Sequence, residues 1–186
     1  MDYQGILDQI GEDVKSELEG GVVANYIPEL AQVSPRHFGM TLCTLDGKIY
    51  STGEATNRFS IQSISKLFTL TLALQLEGEG LWKRVGREPS GNPFNSLVQL
   101  ERELGIPRNP FINAGALVVT DVIMSHLHDA KSTVLKFVRD LAQTPDIEFD
   151  TEVATSERNT GYRNAAMANF LKSFGNLHNT PDAVTD

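Results

Sequence analysis

The segment Phe59-Ser60-Ile61-Gln62-Ser63-Ile64-Ser65-Lys66 joins a predicted β-hairpin to a predicted apolar helix. Ser63 and Lys66 are three residues apart, so on a helix they share a face, about one turn from each other. Apolar residues at three- and four-residue steps predict that the helix covers residues 60–76. Its predicted buried side consists of Ile64, Leu67, Phe68, Leu72 and Leu76.

This Ser-x-x-Lys pair has two interpretations. A serine at a helix start lies beside unpaired backbone N–H groups, which favour developing oxyanion charge. A desolvated lysine beside it can lose its proton and act as a general base. Against this, such a pair arises about once by chance in a chain of this size, so a solvated helix face is the commoner origin. Ser63-Ile64-Ser65-Lys66 is the only such pair in the chain.

Before this segment, the sequence predicts one β-hairpin. Alternating apolar residues indicate a strand over 37–45, Asp46-Gly47 is a strong turn signal, and residues 48–51 return antiparallel. A two-stranded sheet alone is marginally stable in water, and no later segment resembles a partner strand. We therefore expect a sheet that lacks strands, and no docking helix in the last residues, 179–186.

The rest of the chain is predicted to be mainly helical. An amphipathic helix begins at residue 3, runs to residue 18 and is ended by Gly20-Gly21, and Pro28 starts a short helical turn. Residues 77–95 are rich in Gly and Pro and are predicted to be irregular, apart from a short turn around Trp82. Further helices are predicted over 113–127, 132–143, 150–158 and 162–173.

Composition argues against several classes of protein. The 186 residues carry 24 acidic and 16 basic side chains, so no basic stripe is available for nucleic acid or an anionic membrane. Cys43 is the only cysteine, and the four histidines lack the spacing of a zinc site, so no metal is expected. The chain shows neither an apolar run of membrane-spanning length nor signal-peptide features, which predicts a cytoplasmic protein.

A second candidate region is Pro107-Arg108-Asn109-Pro110-Phe111-Ile112-Asn113. Its two prolines exclude a helix and predict an extended, rigid segment. Asn113 then stands at the start of the apolar helix, where its amide either caps the backbone or is offered to a ligand. From the residues alone, capping is the favoured interpretation.

A third candidate region is Ser156-Glu157-Arg158-Asn159 together with Gly161-Tyr162-Arg163-Asn164. Glu157 is predicted to lie between two helices, where it could form an ordinary ion pair with Arg158 or Arg163. Alternatively, its carboxylate could bind an ammonium group while the Asn164 amide binds a carboxylate. A charged surface turn is the favoured interpretation of this region, and turn chemistry also suffices to explain residues 90–96.

Taken together, five ordered motifs from Gly21 to Asn164 closely resemble the bacterial glutaminase family. The motifs are Gly21-Val22-Val23-Ala24-Asn25-Tyr26-Ile27-Pro28, Phe59 to Lys66, Glu88-Pro89-Ser90-Gly91 with Phe94-Asn95-Ser96-Leu97, Asn109-Pro110 with Asn113-Ala114-Gly115-Ala116, and Ser156-Glu157-Arg158 with Arg163-Asn164. The resemblance implies an α+β fold of the β-lactamase/transpeptidase type. In that fold a helical cluster packs against an antiparallel sheet, of which this chain holds the N-terminal hairpin.

The resemblance also implies a reaction, the hydrolysis of L-glutamine to L-glutamate and ammonia without metal or organic cofactor. Ser63 matches the nucleophile and Lys66 its general base. Ser63, Asn113, Glu157 and Asn164 match substrate-binding residues, and Tyr26 and Gln62 match other pocket residues. A homo-oligomer, a tetramer or a dimer, is expected by the same resemblance.

Family members continue past the point where this sequence ends, so the resemblance predicts a C-terminally incomplete single domain over 1–186. Within it, 1–20 form the N-terminal helix, 37–54 the hairpin and 60–178 a mainly helical region. Two alternatives remain at this point. One is an inactive fragment that binds glutamine or contributes to an oligomer. The other is a β-lactamase or penicillin-binding relative, although the chain has no Ser-Asp-Asn motif.

Overall fold

The computed structural model describes residues 1–91, 93 and 96–186, with the backbone only at residue 19. The predicted turn over 90–96 lies partly outside the described residues, at Asn92, Phe94 and Asn95. The described residues form two compact units, Met1–Ser60 and Ile61–Asp186.

The first unit consists of two helices and a hairpin. Helix α1 (Tyr3–Val14) starts at Asp2, whose carboxylate accepts a hydrogen bond from Gly5 N at 3.0 Å. It ends earlier than predicted, and a 3₁₀ turn (Leu18–Gly20) follows before the short helix α2 (Pro28–Ala31). Strands β1 (Gly39–Cys43) and β2 (Ile49–Gly53) complete the unit.

The predicted hairpin is confirmed, and its turn is one residue longer than a minimal one. Strands β1 and β2 pair antiparallel, with Cys43 opposite Ile49. Thr44 N donates to Lys48 O at 3.0 Å, and Gly47 has a φ of 79°, so the loop between them has three residues, with glycine in the left-handed region. Helix α1 covers one face of the hairpin, where the rings of Tyr3 and Tyr50 lie 5.5 Å apart. In the described ranges, no third strand joins this sheet.

The second unit is helical. It begins with a 3₁₀ turn (Gln62–Ile64) that leads into α3 (Ser65–Glu77), and a second 3₁₀ segment (Gly78–Lys83) follows. The remaining helices are α4 (Leu97–Arg102), α5 (Asn113–His126), α6 (Ala130–Ala142), α7 (Thr151–Thr160), α8 (Tyr162–Ser173) and α9 (Pro181–Thr185). The α+β class predicted from the sequence, a helical cluster with an N-terminal hairpin, is confirmed.

Helix α5 forms the centre of the core of this unit, as its apolar composition predicts. Its fully or nearly fully buried apolar residues are Ala114, Leu117, Val118, Val119, Val122 and Ile123. Helix α3 packs on it through Leu70, Leu72 and Ala73. The prediction that Ile64 and Leu67 are buried is wrong, since 54% of each is exposed at the start of α3.

Two of the helices were not predicted from the sequence. Helix α4 is only six residues long, which is too short for an apolar period to be recognised. Helix α9 contradicts the expectation that no helix docks at the end of the chain. Thr180 Oγ1 accepts a hydrogen bond from Ala183 N, Pro181 occupies the first turn, and Val184 is buried. Thr-Pro is a helix-start signal that the sequence contains.

A buried carboxylate joins α5 to the end of the chain. Asp121 is fully buried, and its oxygens accept hydrogen bonds from Arg84 Nη2 at 2.6 Å and from the backbone N–H groups of His178 and Asn179. Burial alone would raise the pKa of Asp121, but these hydrogen bonds outweigh it and hold the pKa below its usual value.

The carbonyl groups of the same segment face a cation. Lys172 Nζ, on α8, donates to the carbonyl oxygens of Leu177, His178 and Asn179 at 2.9–3.1 Å. The segment 177–179 is therefore hydrogen-bonded through its N–H groups to Asp121 and through its carbonyls to Lys172.

The predicted non-helical segment before α5 is confirmed, and it lies against the first turn of that helix. Asn109 Oδ1 accepts hydrogen bonds from Phe111 N at 3.0 Å and Ile112 N at 3.1 Å. A Cβ atom placed on Gly115 would lie 1.9 Å from Asn109 O, so only glycine permits this approach.

Among the described residues, no helix combines the length and the apolar character that crossing a membrane requires.

The Asp121 network predicts a large effect on stability. Asp121→Ala should lower the free energy of unfolding by about 3–5 kcal/mol, because it leaves the charge of Arg84 largely buried and unpaired. Denaturant unfolding followed by circular dichroism measures this. Asp140→Ala is the matched control, since it removes an exposed ion pair with Lys136 and should cost at most about 0.5 kcal/mol. Equal effects of the two substitutions would contradict the assignment.

The close approach at Gly115 predicts a second effect. Gly115→Ala should lower the free energy of unfolding by about 1–3 kcal/mol, because the added methyl group meets backbone atoms that must shift. The same unfolding measurement tests this. A Cβ added at Gly20 meets no atom within 4 Å, so Gly20→Ala should change stability by no more than about 0.5 kcal/mol. Stabilisation by Gly115→Ala, as helix propensity alone would give, would refute the steric account.

Candidate active site

The ammonium group of Lys66 lies at the start of α5. Its Nζ donates hydrogen bonds to Asn113 Oδ1 at 2.7 Å and to Phe111 O at 3.0 Å. Lys66 is in the first turn of α3, so these two bonds connect the starts of the two helices that form the core. An ammonium has three hydrogens and a neutral amine has two. The two acceptors therefore satisfy both hydrogens of a neutral Lys66 and leave its lone pair available.

Burial lowers the pKa of Lys66 from its usual value near 10.5, and the nearby carboxylate of Glu157 opposes this in part. Glu157 shows the converse shift: burial raises its pKa above the usual 4.5, and Lys66 opposes the rise. Both side chains are half-buried. The two side chains are therefore close enough to influence each other's pKa, although 91 residues separate them in the sequence.

Asn113 does not cap α5, contrary to the interpretation favoured from the sequence. The residue before the helix is Ile112, and Asn113 is the first helical residue. Its carboxamide bridges two partners instead: Oδ1 accepts from Lys66, and Nδ2 donates to Asn164 Oδ1 at 3.0 Å. The cap interpretation fails because the helix begins one residue earlier than a cap at Asn113 requires, with Ala116 N donating to Ile112 O at 3.0 Å.

Asn164 and Glu157 enter the site from two successive helices. Asn164 lies in the first turn of α8, and Glu157 lies within α7 rather than between helices as predicted. Because Asn164 Oδ1 accepts from Asn113, the NH₂ group of Asn164 is the donor end of the chain Lys66–Asn113–Asn164. The predicted alternative, an ion pair of Glu157 with Arg158 or Arg163, is not found among the described residues, and Arg158 pairs with Asp186.

Ser63 stands one turn before Lys66, in the 3₁₀ turn that precedes α3. Its side chain is exposed, and no hydrogen bond joins it to Lys66 within the described residues. The preceding residue, Gln62, has a φ of 44°, a left-handed backbone conformation that residues other than glycine adopt at a cost of about 1–3 kcal/mol. Such strain is concentrated at functional sites, where the surrounding structure maintains it.

The structure brings together Lys66, Asn113, Asn164 and Glu157, all within the unit Ile61–Asp186. Tyr26 belongs to the unit Met1–Ser60, where 66% of it is exposed, and its predicted pocket role stays a prediction. The sequence interpretation missed the carbonyl of Phe111 and the side chain of Asn109. The dipeptide Asn109-Pro110 was the available signal, because Asn-Pro favours a turn in which the asparagine side chain bonds the backbone.

In the described part of the chain, no group of three or more His, Cys, Asp or Glu side chains is placed to hold a metal ion.

The arrangement can perform nucleophilic chemistry on a carbonyl group. A serine hydroxyl precedes a desolvated amine by one turn, the amides of Asn113 and Asn164 are hydrogen-bonded in series to that amine, and the Glu157 carboxylate influences its pKa. An amine with a lowered pKa can accept the proton of a hydroxyl.

Comparison with known proteins agrees with this chemistry. The model of the family described as Glutaminase matches residues 21–186. A glutaminase of Ralstonia nicotianae is 56% identical over 186 residues, which are 100% of this chain and 61% of that protein.

Solved structures show the same fold. A probable glutaminase, YbaS, is 34% identical with a TM-score of 0.87, and the match covers 100% of this chain and 62% of that one. Mglu in its glutamate form is 31% identical with a TM-score of 0.82, and the match covers 99% and 43% of the two chains. The alternative of a β-lactamase or penicillin-binding relative is not favoured by these matches.

The chain thus spans about three fifths of the curated relative's length and matches the family model from residue 21 to its last residue. It belongs to the glutaminase family.

Proposed function

We propose that this chain carries the nucleophile, the general base and part of the amino-acid subsite of an enzyme that hydrolyses L-glutamine to L-glutamate and ammonia. The observation that supports this best is the desolvated Lys66 amine, one turn after Ser63 and hydrogen-bonded through Asn113 to Asn164. Membership of the glutaminase family supplies the substrate class.

In the first half-reaction, Ser63 Oγ attacks the side-chain carbonyl carbon of glutamine and Lys66 Nζ takes the hydroxyl proton. The carbonyl oxygen becomes an oxyanion, for which the backbone N–H of Ser63 is one donor. The carbon–nitrogen bond then breaks, the proton passes from Lys66 to the leaving nitrogen, and ammonia departs. The product is a γ-glutamyl ester of Ser63.

In the second half-reaction, water attacks the ester carbonyl and Lys66 takes a proton from it. The carbon–oxygen bond to Ser63 breaks, Ser63 Oγ regains the proton from Lys66, and glutamate leaves. Both steps need a neutral Lys66 to begin, and the burial that lowers the pKa of Lys66 favours that state. Catalytic hydrogen bonds commonly tighten only when substrate binds, so the open Ser63–Lys66 contact is compatible with this role.

The amino-acid end of the substrate fits the other two residues. The carboxylate of Glu157 pairs with the α-ammonium group, and the NH₂ group of Asn164 donates to the α-carboxylate. Asn113 holds Asn164 in the orientation that exposes this donor. Since glutamate is the product of the reaction, the glutamate form of Mglu is a relevant relative.

Further parts of the proposal rest on the family resemblance and on composition. Tyr26 and Gln62 contribute to the pocket, and the reaction uses no metal or organic cofactor. The protein acts in the cytoplasm as a homo-oligomer, either a tetramer or a dimer.

Removal of the nucleophile is the first test. Ser63→Ala should lower ammonia release from L-glutamine by at least about 1,000-fold, because the covalent intermediate cannot form. Ser173→Ala is the matched control, since that exposed hydroxyl bonds only the carbonyl of Phe170, and it should retain full activity. A diazoketone analogue of glutamine should label Ser63, as mass spectrometry of the digested chain would show.

Three outcomes would contradict the proposal. Labelling elsewhere would remove Ser63 from its role. Hydrolysis of the β-lactam nitrocefin, but not of glutamine, would favour the β-lactamase interpretation. A purified chain that binds glutamine and releases no ammonia would be the inactive fragment considered above.

The pH dependence of the reaction is the second test. With neutral Lys66 as base, kcat/KM should rise with pH along a limb whose midpoint lies below 10.5. Glu157→Gln should move this limb of kcat/KM to lower pH, because the Glu157 carboxylate raises the pKa of Lys66 in the ligand-free protein. Glu152→Gln, an exposed substitution on the same helix, should leave the limb in place. A limb that moves to higher pH in Glu157→Gln would contradict the assignment.

A further inference from the structure

We propose that Asn109, which among the described residues makes no hydrogen bond to Ser63 or Lys66, is the positioning residue that aims the Phe111 carbonyl at the Lys66 amine. This inference rests on the proposed function for its catalytic meaning. Its structural content concerns only the hydrogen bonds between Asn109, the peptide group of residues 111–112 and Lys66.

One peptide group connects Asn109 to Lys66. The N–H of Ile112 and the C=O of Phe111 belong to the same planar unit and, in a trans peptide, point in opposite directions. The N–H donates to Asn109 Oδ1 at 3.1 Å, and the C=O accepts from Lys66 Nζ at 3.0 Å. If Asn109 holds one end of this unit, the direction of the other end is fixed.

Asn109 is itself held on three sides. Its Oδ1 accepts a second hydrogen bond from Phe111 N, and its Nδ2 donates to Glu88 O at 2.9 Å. Its backbone lies against Gly115, whose missing side chain permits the approach. The preceding residue is paired as well, since Glu88 N donates to Arg108 O at 2.9 Å. The Asn109 side chain is therefore a rigid reference point rather than a mobile surface amide.

The consequence for Lys66 concerns its lone pair. Two acceptors, Phe111 O and Asn113 Oδ1, take the two hydrogens of the neutral amine, and their directions together determine where the lone pair points. Without Asn109, the 111–112 peptide can rotate and one acceptor is lost. The amine then turns about its side chain, and proton transfer from Ser63 loses its alignment.

Substitutions at Asn109 separate positioning from general support of the fold. Asn109→Ala should lower kcat by about 10- to 100-fold, because the base is misaligned, while KM stays within about threefold. KM is preserved because Asn109 makes no hydrogen bond to Glu157 or Asn164. Asn109→Asp keeps an acceptor oxygen for both N–H groups but loses the donor to Glu88 O, so its kcat should lie between the values of the parent and of Asn109→Ala.

Asn176→Ala is the control for a structural loss. Asn176 Nδ2 donates to the carbonyls of Arg84 and Gly105, which belong to the same unit as Lys66. Among the described residues, neither Arg84 nor Gly105 is hydrogen-bonded to Lys66. It should destabilise the chain and leave kcat of the folded protein unchanged within about twofold.

A second measurement does not need turnover. The rate at which acetic anhydride modifies Lys66, followed by mass spectrometry across a pH series, gives the titration midpoint of that amine. In Asn109→Ala the midpoint should fall, because the charged form of Lys66 loses a hydrogen-bond acceptor. The Glu157 carboxylate, which raises the pKa of Lys66, is unchanged in this variant. In Asn176→Ala it should not move.

The outcomes distinguish the two levels of inference. If the parent chain releases no ammonia, the proposed function fails, and the Lys66 titration alone decides the role of Asn109. A midpoint that does not fall in Asn109→Ala overturns the positioning role, as does an equal fall in Asn176→Ala. In an active chain, a raised KM with unchanged kcat in Asn109→Ala also overturns it.

Discussion

The hydrogen bonds that Lys66 donates to Asn113, at the start of α5, and to Phe111, just before it, are the interaction on which the site depends. They join the start of α3, which carries the amine, to the start of the most buried helix of the chain. A charged amine at this position is disfavoured by burial, whereas a neutral amine finds its two hydrogens satisfied. The same contacts that connect the helix starts therefore also satisfy the hydrogens of a neutral Lys66, the state that its proposed role as general base requires.

The local pattern of the sequence predicts those parts of the structure that local rules determine. Helix α8 covers 162–173, as predicted, because Gly161 and the apolar period mark its limits, and the Asp46-Gly47 turn produces the hairpin. Helix α9 was not predicted although Thr180-Pro181 is a helix-start signal. It buries one side chain, Val184, so it has no apolar period to recognise. Periodicity assigned Ile64 and Leu67 to a buried face, but both are more than half exposed. A repeat of apolar positions identifies one face of a helix and carries no information about which neighbouring element covers it.

The residues proposed for the site came from family resemblance, and the sequence did not reveal how they are connected. Family resemblance selected Ser63, Lys66, Asn113, Glu157 and Asn164, and four of these five share one network. Sequence spacing could not reveal the partners of Lys66. Its hydrogen-bond acceptors lie 45 and 47 positions away, and the carboxylate that influences its pKa lies 91 positions away. A backbone carbonyl such as that of Phe111 has no side-chain signature at all. Asn113 shows the limit most clearly. Its position predicts a cap, but the helix begins at Asn113 itself, and the side chain bonds Lys66 and Asn164 instead.

The segment 177–179 has a consequence for how the second unit unfolds. Its peptide dipoles are aligned between an anion and a cation, with N–H groups directed at Asp121 on α5 and carbonyls at Lys172 on α8. Extending these few residues would remove the backbone N–H partners of buried Asp121, which would keep only side-chain partners such as Arg84, and would leave the exposed Lys172 ammonium to water. We therefore expect segment 177–179 to couple the unfolding of α5 to that of α8, the two helices that carry Asn113 and Asn164.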